Sequence, residues 1–440
     1  MNEAILLTDG YKIHHRLMYP KGTEFVYSNW TPRSNDYYPE AYEGAVVFGI
    51  QYMIKRFFIE EFNKNFFSRP KDEVVAQFAR RIKTFMGEET FKQIGTKHIE
   101  DLWDLQYLPI RIKALPEGTI CPLRCPAMTV VNTLPEFFWL TNYFETLISN
   151  TLWMPMTSAT TARLYKKELV RHAKKTGYAD DPTLGFSCHD FSMRGMSGIE
   201  ATVASGMAHL TSFTGSESIP ALEAAEEYYN INAEKELLAA TVPASEHSVV
   251  SAGSDYKNNA GDDFKVIKRL INEVYPTGIV SLVSDTFDYW RVIEEYLPKL
   301  KEDILSRNGR VVIRPDSGCP EDIICGYLTK PGYETKTTVT PNGKLRYWYR
   351  PIQNRKKRGV HNKWKRCSEG QYYGSYYMLG KIFGTTTTSE GYLRLNDHIG
   401  LLYGDSITLS RQKEIYARLE SLGYCASNLV LGIGLTKWPL

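Results

Sequence analysis

Seven short segments of the chain carry charged, aromatic or glycine residues at or just after apolar runs. The residues of interest are Phe191 and Arg194 of HDFSMRG, Glu217 of TGSES, His247 of SEHS, Asp285 of VSD, Arg314 and Asp316 of IRPDSG, Gly404 and Asp405 of YGDS, and Gly432 and Gly434 of LGIG. Carboxylates suit Mg²⁺ or ribose hydroxyls, arginine suits phosphate, and an aromatic face suits a flat ring. The set therefore indicates a site for a flat polar ring together with sugar and phosphate groups.

Each segment also has a purely structural interpretation. HDFSMRG is equally typical of a salt-bridged turn, and a GxG sequence is more often only a tight turn. A histidine in an apolar, strand-like run, such as His247, is more often a core residue than a catalyst. Acidic neighbours at Asp285 and Asp316 would change that interpretation, because a carboxylate bonded to one ring nitrogen orients the other for nucleophilic attack. An ionised Glu217 only accepts hydrogen bonds, so it would favour an amide NH₂ over a carboxylate.

Alternating strands and helices must position these residues. Residues 1–150 mix strand-like runs with helical stretches and predict an N-terminal α+β sheet domain. Residues 151–440 begin with a helix predicted from Thr157 to Gly177 and continue as repeated strand-then-helix units, including GIVSLVSD and GRVVIRPDSG. This alternation predicts a parallel α/β barrel, in which functional residues gather at the carboxyl ends of the strands.

A basic insertion, residues 327–376, interrupts the alternation with 12 Lys or Arg and 2 Asp or Glu. Within it, Asn342-Gly343 lies between alternating residues and predicts a hairpin with a two-residue loop. The tail QNRKKRGVHNKWKR has charges and aromatics typical of nucleic-acid binding. Because charge runs are usually solvated, we expect a surface loop and no nucleic-acid partner.

Composition excludes several other classes of protein. Hydrophobic residues make up 43% and charged residues 23% of the 440, which argues against a disordered or fibrous chain. We find neither a signal peptide nor an apolar run of about eighteen residues, so no membrane association is expected. The seven cysteines are scattered, and only Cys121 and Cys125 lie close together, without partners for a zinc site. A cytoplasmic location is therefore expected.

The segments DGYK, HDFSMRG, SEHS, VSD, IRPDSG, YGDS and LGIG occur here in the order seen in nicotinamide phosphoribosyltransferases, and the chain resembles that family over nearly its whole length. The resemblance implies a type II phosphoribosyltransferase fold, an irregular α/β barrel packed beside a mixed α+β sheet domain. It further implies a homodimer with active sites at the subunit interface. The implied reaction joins nicotinamide to the ribose of phosphoribosyl pyrophosphate in NAD salvage, with Mg²⁺ and with ATP as an activating co-substrate.

The resemblance also implies a role for individual residues. His247 would be phosphorylated by ATP, supported by Asp285 and Asp316. The substrate-binding residues would be Tyr11 of DGYK, Arg33, Phe191, Arg194, Glu217, Arg314, Gly404, Asp405, Gly432 and Gly434. Among these, Tyr11 of the partner subunit and Phe191 would sandwich the nicotinamide ring. The arginines would bind phosphates, Asp405 the ribose hydroxyls, and the glycines the 5′-phosphate.

Three features depart from the family pattern. Glu217 stands where the family carries Asp, the basic insertion has no counterpart in shorter members, and the chain ends in LTKWPL where the family continues with a polar, basic tract. The alternatives are a nicotinate phosphoribosyltransferase, distinguished by the residue at Glu217, and an inactive, C-terminally shortened relative acting as a binding protein.

Overall fold

The computed structural model describes residues 3–36, 38–257, 260–352 and 363–434, and packing divides the chain into two units. Unit 1 contains residues 1–163, 196–211 and 219–238, and unit 2 contains residues 164–195, 212–218 and 239–440. The domain boundary near residue 150 stays a prediction. No helix in the described ranges has both the length and the apolar character needed to cross a membrane.

Unit 1 combines small antiparallel sheets with helices around an aromatic core. Its strands are β1 (Tyr27–Trp30), β2 (Ala45–Val46), β3 (Ile110–Ala114), β4 (Ile120–Cys121) and β5 (Met128–Asn132). β5 pairs with β1 and β3, and β2 pairs with β4. Its α-helices are Ile50–Met53, Lys71–Met86, Glu88–Ile94, Lys97–Leu105, Leu140–Tyr143, Ile199–Leu210 and Ile219–Tyr229. Phe62 and Phe144 are at most 1% exposed and meet edge to face at 5.4 Å, so buried aromatic rings stabilise this unit.

Unit 2 is built on a parallel six-stranded sheet. Its strands are β6 (Cys188–Asp190), β7 (Gly215–Ser216), β8 (Asp255–Lys257), β9 (Ala260–Asp262), β10 (Thr277–Val283), β11 (Asn308–Arg314), β12 (Tyr333–Val339), β13 (Leu345–Pro351), β14 (Lys365–Cys367), β15 (Thr385–Thr387), β16 (Leu393–Leu395), β17 (Ile399–Ile407) and β18 (Leu429–Ile433). The parallel sheet has the order β10-β11-β17-β18-β6-β7. β10 and β11 are apolar toward their ends because a parallel sheet is covered on both faces. The segments that follow the strands meet at one edge of the sheet.

The segment 240–245 joins the two edges of this sheet without forming a regular strand. Ala240 bridges to β7 and Ala244 bridges to β10, both in parallel orientation. The Ala240 N–H donates to the Thr214 carbonyl oxygen at 2.8 Å, and the Ser245 N–H donates to a carbonyl oxygen of β10 at 2.9 Å. The sheet therefore closes as an irregular α/β barrel, which confirms the predicted fold class.

A long helix, Glu145–Thr176, leads into unit 2 and corrects one prediction. The sequence predicts its start at Thr157, whereas it begins at Glu145. Thr157 is typical of a helix cap, but its hydroxyl donates to the Trp153 carbonyl oxygen at 2.7 Å inside the helix. The predicted end is confirmed at Gly177, where φ is +79°. The other α-helices of unit 2 are His247–Gly253, Phe264–Arg269, Tyr289–Arg291, Leu297–Lys299, Lys301–Leu305, Pro320–Cys325, Glu369–Tyr373, Ser375–Phe383 and Leu409–Ser421.

The basic insertion contains a three-stranded antiparallel sheet of order β12-β13-β14. The predicted hairpin is confirmed, but its loop has three residues instead of two. The Thr340 N–H donates to the Lys344 carbonyl oxygen at 2.9 Å, and the Gly343 N–H donates to the Thr340 carbonyl oxygen at 2.9 Å. Pro341 fixes a negative φ at the start of the turn, so only Gly343 is left-handed, at φ +81°. Residues 353–362 of the basic tail lie outside the described residues.

Candidate active site

The ends of β6 and β7 bring a histidine, an aromatic ring and a carboxylate together. His189 Nε2 lies 2.9 Å from Glu217 Oε1, and the Thr241 hydroxyl donates to the same oxygen. The ring centres of His189 and Phe191 are 4.9 Å apart. Among the described residues, both side-chain bonds of Glu217 use Oε1, and the side chain is 38% exposed. Its second carboxylate oxygen is therefore available to a ligand beside the Phe191 ring.

The surroundings of Glu217 favour its ionised form. Burial acts to raise the pKa of the carboxyl, but hydrogen bonds from His189 and Thr241, together with the charge of Arg314, outweigh that effect. The pKa of Glu217 is consequently lowered from its usual 4.5. An ionised carboxylate has only acceptor oxygens, so this position suits an NH₂ donor and repels another carboxylate.

His189 and Thr241 were not identified from the sequence. His189 had a usable signal, because residues two apart on a strand point to the same face and Phe191 was already a candidate. Thr241 lies in the irregular segment 240–245, where the sequence has no signal that would have identified it. Asp190, by contrast, is fully buried and accepts hydrogen bonds from the Ser192 N–H at 2.9 Å and the Ser216 hydroxyl at 3.4 Å. The carboxylate at this strand end therefore holds the turn and does not face a ligand.

His247 contacts Asp285, and Asp316 is bonded to Asp285, so the condition set for His247 in the sequence analysis is met. His247 Nε2 is 3.1 Å from Asp285 Oδ1, and the Asp316 N–H donates to Asp285 Oδ2 at 2.9 Å. The Asp285 side chain is 3% exposed and the His247 side chain 49% exposed. One local expectation was wrong, because His247 begins the helix His247–Gly253 and does not lie within a strand-like run. A buried acid thus holds a histidine whose ring faces solvent.

Asp285 is a fixed acceptor for its neighbours. Burial acts to raise its pKa, but the Ser317 hydroxyl, the Asp316 N–H and His247 stabilise the carboxylate more strongly. The pKa of Asp285 is consequently lowered from its usual 3.8. Because an ionised carboxylate can only accept, neutral His247 must carry its proton on Nε2 to make this contact, which leaves a lone pair on Nδ1.

Two glycines allow β17, β18 and the Asp316 carboxylate to approach closely. A Cβ on Gly404 would lie 2.6 Å from Asp316 Oδ1, and a Cβ on Gly432 would lie 2.6 Å from the Gly404 carbonyl oxygen. Asp316 Oδ2 also lies 3.3 Å from the Arg314 guanidinium. Side chains at either glycine would displace these groups. A Cβ on Gly434 would have nothing within 4 Å, so space alone does not require that glycine.

The YGDS segment differs from its predicted place at a strand end. β17 continues to Ile407, and its pairing with β18 is irregular between Tyr403 and Ile407. The irregularity is stabilised by Arg411, whose guanidinium donates to the Ser406 carbonyl oxygen at 2.7 Å. Ser406 has φ +56°, an uncommon conformation for a residue with a side chain. The side chain of Asp405 lies outside the described part of the structure, so its role stays a prediction.

Three further predicted residues are exposed. Arg194 lies in the short turn Met193–Gly195 of unit 2. Tyr11, which is 54% exposed, and Arg33 belong to unit 1. Their roles in ring stacking and phosphate binding stay predictions.

The carboxylates of this site fit a metal ion only with help from a ligand. Within the described ranges no three His, Cys, Asp or Glu side chains are grouped to hold an ion. Asp285 is buried with its oxygens bonded, whereas Asp316 is 27% exposed. Mg²⁺ commonly binds one or two carboxylates plus substrate phosphates, and Asp316 with a polyphosphate would meet that pattern.

Two protein-family models match separate parts of the chain. The nicotinate phosphoribosyltransferase (NAPRTase) family matches residues 186–437, and the nicotinamide phosphoribosyltransferase N-terminal domain matches residues 3–112. The fold is similar to that of human nicotinic acid phosphoribosyltransferase, with a TM-score of 0.50 and 15% identity over 98% of this chain and 73% of that one. The barrel and the family match thus define a type II phosphoribosyltransferase.

Two curated relatives show which family within this class the chain belongs to. The chain is 43% identical to a nicotinamide phosphoribosyltransferase of Acinetobacter baylyi, over 97% of this chain and 77% of that protein. It is 32% identical to a nicotinamide phosphoribosyltransferase of Mycoplasma pneumoniae, over 99% of this chain and 85% of that protein. The chain belongs to the nicotinamide phosphoribosyltransferase family.

Proposed function

We propose that the chain transfers the phosphoribosyl group of phosphoribosyl pyrophosphate to nicotinamide, giving nicotinamide mononucleotide and pyrophosphate in NAD salvage. Both relatives described above are named nicotinamide phosphoribosyltransferases. The observation that favours nicotinamide over nicotinate is the ionised Glu217 beside Phe191. The carboxamide of nicotinamide donates to Glu217, whereas the carboxylate of nicotinate is repelled by it.

The transfer step needs no acid or base catalyst. The pyridine nitrogen of nicotinamide forms a bond to ribose C1, while the bond from C1 to the pyrophosphate oxygen breaks and pyrophosphate leaves with the electron pair. No proton needs to be removed, so the residues act by orientation and by stabilising charge. Phe191 stacks on the ring, Glu217 fixes its rotation, and Arg314 attracts phosphate.

Gly404 and Gly432 keep β17, β18 and the Asp316 carboxylate close together beside the proposed 5′-phosphate pocket. Asp316, whose side chain is 27% exposed, would hold Mg²⁺, which would supply positive charge to stabilise pyrophosphate. Asp405, Gly434, Arg33 and Arg194 complete the sugar and phosphate contacts in this proposal, which for these four rests on the family resemblance.

ATP would act through His247. The Nδ1 lone pair of His247 attacks the γ-phosphorus of ATP, and a nitrogen–phosphorus bond forms as ADP leaves. The proton stays on His247 Nε2, which donates it in a hydrogen bond to Asp285. Both the half-exposed ring and the contact of Nε2 with Asp285 support this assignment. In the predicted homodimer, Tyr11 of the partner subunit would cover the second face of the nicotinamide ring.

We propose that the protein works in the cytoplasm. All seven cysteines are unpaired, which is compatible with a reducing compartment.

Product formation by the purified chain tests the proposal. Nicotinamide or nicotinate is supplied with phosphoribosyl pyrophosphate and Mg²⁺, with and without ATP, and the mononucleotide is quantified by chromatography. We expect nicotinamide mononucleotide, more of it with ATP, and loss of that increase in His247→Ala. His398→Ala is the control, because His398 bonds Asn396 near the opposite, amino end of β17. A preference for nicotinate, or no product from folded protein, would contradict the proposal.

A further inference from the structure

The sheet β12-β13-β14 presents two chemically different faces. Side chains alternate between faces along a strand. One face contains Tyr347 and Cys367, each 8% exposed, which pack with Tyr372 in a small core. The other face carries the residues one position away, and we call it the outer face. Its members are Glu334, Lys336, Thr338, Arg346, Trp348, Arg350 and Arg366, joined by Trp364 through its contacts with Lys336 and Arg350.

Cations on the outer face outnumber carboxylates by four to one. The single carboxylate, Glu334, accepts a hydrogen bond from Arg350 Nε at 2.7 Å and so neutralises that arginine. Lys336, Arg346 and Arg366 are exposed, and none of them forms an ion pair with a carboxylate of the described residues. These three cations therefore give the outer face a net positive charge.

Aromatic rings lie among these cations in a defined arrangement. Trp348 stands directly across from Lys336 on one neighbouring strand and from Arg366 on the other. Its indole N–H donates to the Thr338 hydroxyl at 2.9 Å, which fixes the plane of the ring. Lys336 Nζ lies 4.2 Å from the Trp364 ring centre, and the Arg350 guanidinium carbon lies 4.5 Å from it. Trp364 thereby positions Lys336 and Arg350, and Trp348 lies between Lys336 and Arg366.

We propose that the outer face binds single-stranded nucleic acid. Sheets that bind single strands combine aromatic platforms for the bases with cations for the phosphates, and both are combined here. An acidic peptide or an anionic membrane surface would use the cations alone and would leave the fixed plane of Trp348 without a purpose. The sequence suggested a solvated loop because it could not show that Lys336, Arg346, Arg366 and the tryptophan share one face.

Fluorescence anisotropy with a labelled single-stranded RNA 12-mer of mixed sequence tests the proposal on the full chain. Three phosphate contacts predict that the logarithm of the binding constant falls with the logarithm of salt concentration at a slope of about −2. The variant Lys336→Gln/Arg346→Gln/Arg366→Gln should lose most of this slope and affinity. Trp348→Ala should weaken binding about tenfold, and Trp348→Phe should restore most of it.

A charge-matched control separates the outer face from general attraction. Lys21→Gln/Lys64→Gln/Lys113→Gln removes the same charge from exposed positions of unit 1 and should bind RNA as the wild type does. Both triple variants should keep the transferase activity of the wild type, which verifies folding. The proposal is overturned if neither triple variant loses affinity, if both lose it equally, or if Trp348→Ala has no effect. It is also overturned if inorganic polyphosphate of equal charge binds as tightly as the RNA.

Discussion

Asp285→Asn is the substitution that most sharply tests the role proposed for His247. In the wild type, Asp285 accepts from His247 Nε2 at 3.1 Å and from the Asp316 N–H at 2.9 Å. An asparagine has one acceptor and one donor end in place of two acceptors. If its oxygen keeps the Asp316 N–H, its NH₂ faces His247 and selects the tautomer with the proton on Nδ1. That nitrogen then has no lone pair for ATP.

The size of this effect follows from the strength of the hydrogen bond between His247 and the Asp285 carboxylate. A hydrogen bond to a charged group contributes about 1.5–3 kcal/mol, and about 1.4 kcal/mol corresponds to a factor of ten. Because the His247 side chain is 49% exposed, we take the lower end of this energy range. Loss of the orientation of the His247 ring alone should therefore reduce the ATP-dependent rate about tenfold. The wrong tautomer acts in the same direction and costs Ser-His-Asp enzymes about 10⁴-fold.

The assay compares initial rates of mononucleotide formation with and without ATP, together with phosphate incorporation from γ-labelled ATP. We expect at least a tenfold loss of the ATP-dependent part, loss of labelling, and a smaller change in the ATP-independent rate. Asp288→Asn is the matched control, since the exposed Asp288 caps a helix by accepting from the Arg291 N–H at 3.1 Å. Full labelling of the Asp285→Asn variant would refute the reasoning.

Three other predictions concern the same barrel edge. His189→Phe should raise the KM for nicotinamide about tenfold with little change in kcat, because Glu217 loses a donor, while His189→Gln should retain much of the affinity; equal KM values in steady-state kinetics would contradict this. Gly404→Ala should lower kcat/KM roughly 100-fold, because its Cβ would displace the Asp316 carboxylate, and circular dichroism should verify that the variant is folded. The lowered pKa of Asp285 means that its ionic contribution to stability is present above the unfolded pKa near 3.8 and is lost as pH falls further. Urea unfolding should therefore show a lower free energy of unfolding for Asp285→Asn than for the wild type at pH 7, and a smaller difference between the two at pH 3. A difference that is the same at both pH values would argue against an ionised, stabilising Asp285.

Strands with strong apolar patterns were predictable, and so were the polar residues that follow them. GIVSLVSD and GRVVIRPDSG each gave a buried strand followed by a charged residue, and parallel pairing then places Asp285 and Asp316 side by side. The proximity of His247 to Asp285 was a conditional expectation and is observed. These successes share one cause, since parallel order turns separate strand ends into neighbours.

Contacts made by irregular backbone were not predictable. Thr241 reaches Glu217 from a segment with no strand or helix period, and the YGDS glycine lies within β17, where only three-dimensional packing shows the approach of Asp316. The helix start at Glu145 was missed because Thr157 has a capping residue's chemistry in a helix interior. The contacts of Thr241 and Gly404 are long-range, and the bond of Thr157 is one of two local options that the sequence leaves equal.

The closure of the barrel by the segment 240–245 makes its stiffness uneven. Regular ladders connect the six strands, whereas only isolated bridges connect this segment to β7 and β10. We expect the ring to open more readily between this segment and β10 than between β10 and β11, since fewer backbone hydrogen bonds must break there. Thr241 lies within this segment, and His247 follows it closely in the chain. Opening of the ring there would therefore affect both the contact of Thr241 with Glu217 and the position of His247.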